Sequence, residues 1–180
     1  MRIGAVVILA LAMFVSLPGC QRAQESGAAQ DWKSFSPEGE GFSVLLPGTP
    51  TGETESQASA LGVVDSVWFD LEREGDKLAY RVRYDDYPAG LFGLLNGSQL
   101  LYARQKRIEY LTEGTIVDEE AISIDEHEGK QFTIELPDEK IGLYRLFLID
   151  QRMYQLTVKA APGDISAGEV SQFLDSFELL

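Results

Sequence analysis

The sequence predicts an α+β domain with a mostly antiparallel β-sheet flanked by helices. Short runs of alternating apolar and polar residues follow one another at hairpin spacing, which is typical of antiparallel strands. Two other segments repeat their apolar residues at helical spacing and begin with capping residues. The order of strands, a helix, more strands and a closing helix gives this fold class.

The chain begins with the pattern of a bacterial lipoprotein signal peptide, predicted over residues 1–19. Arg2 precedes an apolar run from Ile3 to Val15, which is too short for the roughly 20 residues of a membrane-spanning helix. Leu17-Pro18-Gly19-Cys20 follows and resembles a lipobox. This resemblance to bacterial lipoproteins implies that Cys20 is acylated, becomes the mature N-terminus and anchors the chain to a membrane of the cell envelope. Gln21 favours the outer membrane, with the domain facing the periplasm or the cell surface.

The mature chain is predicted to have two parts. Residues 20–31 are small and polar and form a flexible tether, and residues 32–180 form a single α+β domain. Cys20 is the sole cysteine, so the domain is stabilised by its core without a disulfide. Removing residues 1–19 leaves 14 basic and 29 acidic residues, a formal charge of −15. Because this charge repels phosphate backbones, the sequence argues against a nucleic-acid partner.

The first half of the domain is predicted to consist of strands. Phe42 to Leu46 is a short apolar strand that ends at a proline and glycine turn. Val63 to Leu71 and Leu78 to Tyr84 form a hairpin with its loop at Glu74-Gly75-Asp76. The strand from Leu78 alternates apolar residues with Ala79, Arg81 and Arg83, so we expect one face in the core and the other in water.

Asn96 to Thr112 is predicted to be a helix capped by Asn96 or Ser98, and Asn96 with Gln99 approximates a capping box. Its apolar arc consists of Leu100, Leu101, Ile108 and Leu111. Arg104 projects from the middle of this arc. We therefore expect a carboxylate or carbonyl of the sheet to hold its guanidinium.

Strands are predicted to return after this helix. Ile116-Val117 and Ile122 to Ile124 are two short strands on either side of an acidic stretch, and an alternating strand centred on Ile134 follows. Leu143 to Ile149 is apolar on nearly every residue, which favours a central strand covered on both faces. It forms a hairpin with the alternating strand from Tyr154 to Val158.

The end of the chain is predicted to be a helix followed by a short strand, Phe177 to Leu180. Ser166 caps the helix, Glu169 completes the capping box, and Ile165 with Val170 forms a hydrophobic staple. The stripe of Val170, Phe173, Leu174 and Phe177 faces the core.

Two sequence segments resemble segments of bacterial lipoproteins and secreted domains of unknown function that have a PsbP-like fold. They are Phe42-Ser43-Val44-Leu45-Leu46-Pro47-Gly48-Thr49-Pro50 and Phe173-Leu174-Asp175-Ser176-Phe177. The resemblance implies an α/β/α sandwich and a binding or assembly module without catalytic activity. It brings no catalytic or metal-binding residue to this chain.

The sequence offers little support for catalysis, a metal or a cofactor. His127 is the only histidine and lies between two glutamates, so it is expected on a solvated turn, and a zinc site would need several such ligands. No cofactor-binding motif occurs, and neither does a Gly-x-Ser-x-Gly nucleophile elbow. The predicted function is a lipid-anchored extracytoplasmic binding or assembly module. A carboxylate-based hydrolase of the cell envelope is the alternative, because 29 acidic residues offer many pairs.

The stretch from Tyr84 to Asn96 is more apolar than a surface connection between a strand and a helix should be. Either it folds onto the core and plugs one end of the sheet, or it exposes an apolar patch to an unknown protein partner. Tyr87, Leu91 and Phe92 are the candidate residues of such a partner surface.

Replacement of Cys20 by serine is expected to abolish membrane association, because acylation needs the thiol and the tether has no apolar stretch of its own. Membrane fractionation with radiolabelled palmitate measures this. Label in the Cys20→Ser variant, or its absence from the wild type, would contradict the lipoprotein interpretation.

Overall fold

The computed structural model describes residues 31–73, 78–164 and 166–180. The strands are β1 Lys33–Phe35, β2 Phe42–Leu46, β3 Thr51–Ser59, β4 Gly62–Arg73, β5 Leu78–Asp86, β6 Thr115–Ile124, β7 His127–Glu135, β8 Ile141–Ile149, β9 Arg152–Ala160 and β10 Glu178–Leu179. The helices are α1 Ala89–Phe92, α2 Gly97–Thr112 and α3 Ala167–Leu174. In the part of the chain described, no helix is long and apolar enough to cross a membrane.

The large sheet has seven strands in the order β3-β4-β5-β9-β8-β7-β6. Every neighbouring pair is antiparallel. The strands β3 to β5 and β6 to β9 are two blocks of consecutive hairpins, and the pairing of β5 with β9 joins the blocks. Tyr84 lies opposite Tyr154 in this pairing, and Leu78 lies opposite Ala160. The predicted class, an α+β domain with an antiparallel sheet, is confirmed.

One face of the large sheet is covered by a small sheet of order β1-β2-β10 and by α3. The side chains of β2 alternate, so Phe42, Val44 and Leu46 point inward and are buried. Phe42 packs against Phe177 with ring centroids 5.7 Å apart. Burial of these large apolar side chains forms the first core of the domain.

The opposite face is covered by α2 only over part of its width. The second core combines Leu100, Leu101 and Ile108 of the helix with buried side chains of the sheet. Those side chains are Phe132, Ile134, Tyr144, Leu146 and Met153. The large sheet therefore lies between two covering layers, as the sandwich prediction required.

The helix caps are confirmed. Asn96 accepts a hydrogen bond from the backbone N–H of Gln99, and Ser166 accepts one from Glu169, each with the reciprocal side-chain bond of a capping box. Ile165 of the expected staple lies outside the described residues, as does the loop at 74–76. Leu111 was expected in the buried arc but is 60% exposed, because the last turn of α2 extends beyond the second core.

Two strand assignments need correction. The predicted strands at 116–117 and 122–124 are one strand, β6, because its exposed acidic middle also pairs with β7. The polar strand β3 was not predicted, because all nine of its residues are exposed and no apolar pattern marks it. The prediction for β8 is confirmed, because this interior strand contributes Leu143 and Phe147 to the first core and Tyr144 and Leu146 to the second. His127 begins β7 after a two-residue turn and is half-buried, so it is not on the turn itself.

Gly129 allows β7 and β8 to pack closely. An alanine Cβ there would lie 2.5 Å from Cδ1 of Phe147 and 2.6 Å from the carbonyl oxygen of Leu146. Gly129→Ala is therefore expected to lower the free energy of unfolding by about 1–3 kcal/mol, measured by urea denaturation. Gly168→Ala is the control, because its Cβ would meet nothing closer than 3.8 Å and alanine favours a helix. Equal midpoints for the two variants would contradict this packing.

Candidate functional site

The half of the large sheet that α2 leaves uncovered forms a polar groove of about 890 Å³. Its floor comes from β3, β4, β5 and β9, and α2 forms one wall. The basic residues that line it are Arg81, Arg83, Arg104, Arg107, Lys140 and Lys159, and the acidic ones are Glu55, Asp70, Glu72 and Asp138. Six of the 15 basic residues of the chain but only four of the 29 acidic ones line this groove. It is therefore locally basic on a strongly acidic protein.

Strand register arranges the floor in rows. Asp70 lies opposite Arg81, Arg81 opposite Thr157, and Thr157 opposite Tyr144. In the next row, two positions along the strands, Lys159 lies between Ala79 and Gly142. All of these side chains share one face, because side chains alternate along each strand.

A buried carboxylate organises the end of the groove nearest α1. Asp85 is 1% exposed and accepts hydrogen bonds from Nε of Arg83 at 2.9 Å and from its Nη2 at 2.7 Å. Nη2 of Arg104 lies 3.2 Å from the other carboxylate oxygen of Asp85. Arg104 also donates from Nε and Nη2 to Oε1 of Gln155, at 3.0 and 2.8 Å. The expectation that a sheet carboxylate holds Arg104 is confirmed.

The middle of the groove holds a tight ion pair. Arg81 donates to Asp70 from Nε at 2.5 Å and from Nη2 at 2.6 Å, which is the two-pronged geometry that a guanidinium forms with a carboxylate. The hydrogen bond to Asp70 raises the pKa of Arg81. At the rim, Lys140 lies 3.0 Å from Asp138 and lowers the pKa of that carboxyl through a side-chain hydrogen bond.

Two polar groups in the groove, on Lys159 and Tyr144, have no hydrogen-bond partner among the described residues. Within the described part of the chain, Lys159 has neither a hydrogen bond nor an ion pair, and burial followed by the nearby charge of Arg81 lowers its pKa. The hydroxyl of Tyr144 is buried and has no hydrogen-bond partner, and burial raises its pKa to about 12. The ring of Tyr144 leans over Gly142, where a Cβ would lie 2.7 Å from its Cε2 and 3.2 Å from its hydroxyl.

The sequence did not identify this groove. The alternation of Ala79, Arg81 and Arg83 predicted a face in open water, whereas α2 makes that face one side of a groove. Polar residues at alternate positions of β9, at 155, 157 and 159, were the available signal, because a central strand with one polar face must border water or a ligand.

The candidate partner residues lie together beside the second core. Tyr87, Leu91 and Phe92 are half-buried and pack against it, while Leu94 is 66% exposed. Burial raises the pKa of Tyr87.

Cys20 lies outside the described residues. Among the residues that the structure describes, no group of three His, Cys, Asp or Glu could hold a metal ion.

Comparison with solved structures gives the fold. No protein-family model and no curated protein matches the chain. The solution structure of cyanobacterial PsbP from Synechocystis sp. PCC 6803 is similar with a TM-score of 0.58 and 15% identity, over 86% of this chain and 96% of that one. A protein of unknown function from Pseudomonas aeruginosa has a TM-score of 0.36 and 10% identity, over 78% and 90% of the two chains. The predicted PsbP-like fold is confirmed.

Arg104→Ala is expected to lower the free energy of unfolding by about 1–3 kcal/mol, because it leaves the buried Asp85 and Gln155 with fewer donors. Arg107→Ala on the same helix is the control, since Arg107 is exposed and should change stability by less than about 0.5 kcal/mol. Chemical denaturation measures both. An Arg104→Ala variant as stable as the wild type would show that the Asp85 cluster does not depend on this arginine.

Proposed function

We propose that this chain is a lipid-anchored, non-catalytic binding module of the cell envelope. The observation that carries the proposal is the groove, which is large enough for a ligand and whose rigid floor belongs to the central strands of the sheet. Binding sites are commonly built in this way, as preformed clefts with a few placed polar groups. The PsbP-like fold supports an accessory or binding module as well.

The charges of the groove favour binding over hydrolysis. A carboxylate-based hydrolase needs one carboxylic acid whose pKa is raised enough to donate a proton. In this groove Asp70 is held by Arg81, and the pKa of Asp138 is lowered by Lys140. The other described carboxyls with shifted pKa values, Glu109, Glu119 and Glu169, are also lowered. His127 does not line the groove, so it offers no base there.

The proposed location of the protein in the cell rests on the signal peptide predicted over residues 1–19. An acylated Cys20 after a signal peptide would attach the chain to the outer membrane, and the tether at residues 20–31 would hold the domain away from the bilayer. The formal charge of −15 on the mature chain would keep the domain off anionic lipid head groups.

A protein partner is proposed at the apolar stretch around α1. Tyr87, Leu91 and Phe92 are half-buried and pack this region against the second core. The exposed Leu94 would be the side chain that the partner contacts. Phe92→Asp places a charge against the second core, so that variant is expected to unfold and does not by itself test binding.

The test is cross-linking of the affinity-tagged chain in intact cells, followed by purification from the solubilised envelope. A specific envelope component is expected with the wild type and is expected to be lost with Leu94→Asp, whose fold should be intact. Tyr110→Asp is the matched control, because Tyr110 is also a largely exposed apolar side chain and lies near the C-terminal end of α2. Retention of the component by Leu94→Asp would contradict the proposed surface. Hydrolysis of an envelope substrate by the purified chain, lost in Asp70→Asn, would support the hydrolase instead.

A further inference from the structure

One lysine on the floor of the groove has a small residue opposite it on each neighbouring strand. Lys159 rises from β9 between Ala79 of β5 and Gly142 of β8, which carry the smallest side chains of that row. The ring of Tyr144 bends over Gly142 and brings its hydroxyl toward the same row.

Two hydrogen-bond donors on this face of the sheet, the ammonium of Lys159 and the hydroxyl of Tyr144, have no acceptor among the described residues. The ammonium of Lys159 carries three N–H groups and, within the part of the chain described, makes no hydrogen bond or ion pair. The hydroxyl of Tyr144 is unpartnered, and its residue is only 2% exposed. Buried polar groups are nearly always paired in folded proteins, so an unpaired hydroxyl that lines a groove points to a missing acceptor.

The two carboxylates that attract Lys159, those of Asp70 and Asp138, are already paired with other basic residues. Asp70 binds Arg81 through both of its oxygens, and Asp138 is paired with Lys140. Arg107 on the α2 wall also has no ion-pair partner among the described residues. Lys159 and Arg107 are therefore the basic residues of the groove that have no ion pair among the described residues.

We propose that Lys159 and Tyr144 bind the oxyanion of a ligand, a carboxylate or phosphate group, at the floor of this groove. The proposal rests on the proposed binding function and names the chemical class of the ligand. An oxyanion fits because it offers several acceptors and no donor, and its charge neutralises the lysine. A neutral hydroxyl or amide would satisfy Tyr144 but would leave the charge of Lys159 unpaired. The rest of the ligand would lie along the groove toward Arg104 and Arg107.

The experiment is calorimetric titration of the full chain, in detergent and at constant ionic strength, with inorganic phosphate and with citrate as separate probes. Saturable binding of at least one probe is expected, and the probe that binds more tightly distinguishes phosphate from carboxylate. Lys159→Met, which keeps the apolar stem, is expected to weaken that binding at least tenfold. Tyr144→Phe is expected to weaken it about three- to tenfold.

Lys140→Met is the matched control, because Lys140 lines the same groove but is already paired with Asp138. It is expected to change affinity less than twofold. The thermal midpoints of Lys159→Met and Tyr144→Phe are expected to equal or exceed that of the wild type, since each removes an unpaired polar group. This readout shows that lost binding is not lost folding.

The proposal is overturned if neither probe binds saturably, or if Lys159→Met binds as tightly as the wild type. Cross-linking to an envelope component is measured separately and does not depend on the probes. If the component is still captured while the probes fail to bind, the oxyanion site is wrong and the binding module stands. If both fail, the proposed function fails with it.

Discussion

The pairing of β5 with β9 is the interaction on which the rest of the domain depends. Among the described strands, this pairing joins the two blocks of hairpins into a single seven-stranded sheet. Each of these strands contributes to both sides of the sheet. Tyr80, Val82 and Leu156 enter the first core on one face, while Arg81, Gln155 and Thr157 form the groove floor on the other. A change in this register by one residue would exchange core and groove.

The groove exists because one helix cannot cover so wide a sheet. A helix is about 10 Å across and strands are spaced about 4.8 Å apart, so α2 covers roughly two strands. It packs over β7 and β8, where the facing side chains are apolar. On the same face of the sheet, the strands β3, β4 and β5 carry charged residues. Some of these charges form ion pairs with one another, as Arg81 does with Asp70. The buried Asp85 and its two arginines lie at the border between the two regions.

Those parts of the fold that a local pattern encodes could be predicted from the sequence. The alternation in Leu78 to Tyr84 and the capping boxes at Asn96 and Ser166 are properties of neighbouring residues, and they correspond to β5, α2 and α3. The helical phase even indicated that Arg104 has a sheet partner. β3 could not be found in this way, because its strand conformation comes from pairing with β4 and not from its own side chains. The groove depends on which strand lies beside which, and no single segment of the chain carries that information.

The polar strands at the two borders of the large sheet affect how copies of this protein meet. β3 carries Glu53 and Glu55, and β6 carries Asp118, Glu119 and Glu120, at the positions where the backbone hydrogen bonds of a sheet are open. A second molecule adding its own border strand would bring carboxylates face to face, and this repulsion opposes runaway sheet extension. Copies of this domain can therefore remain separate at high local concentration.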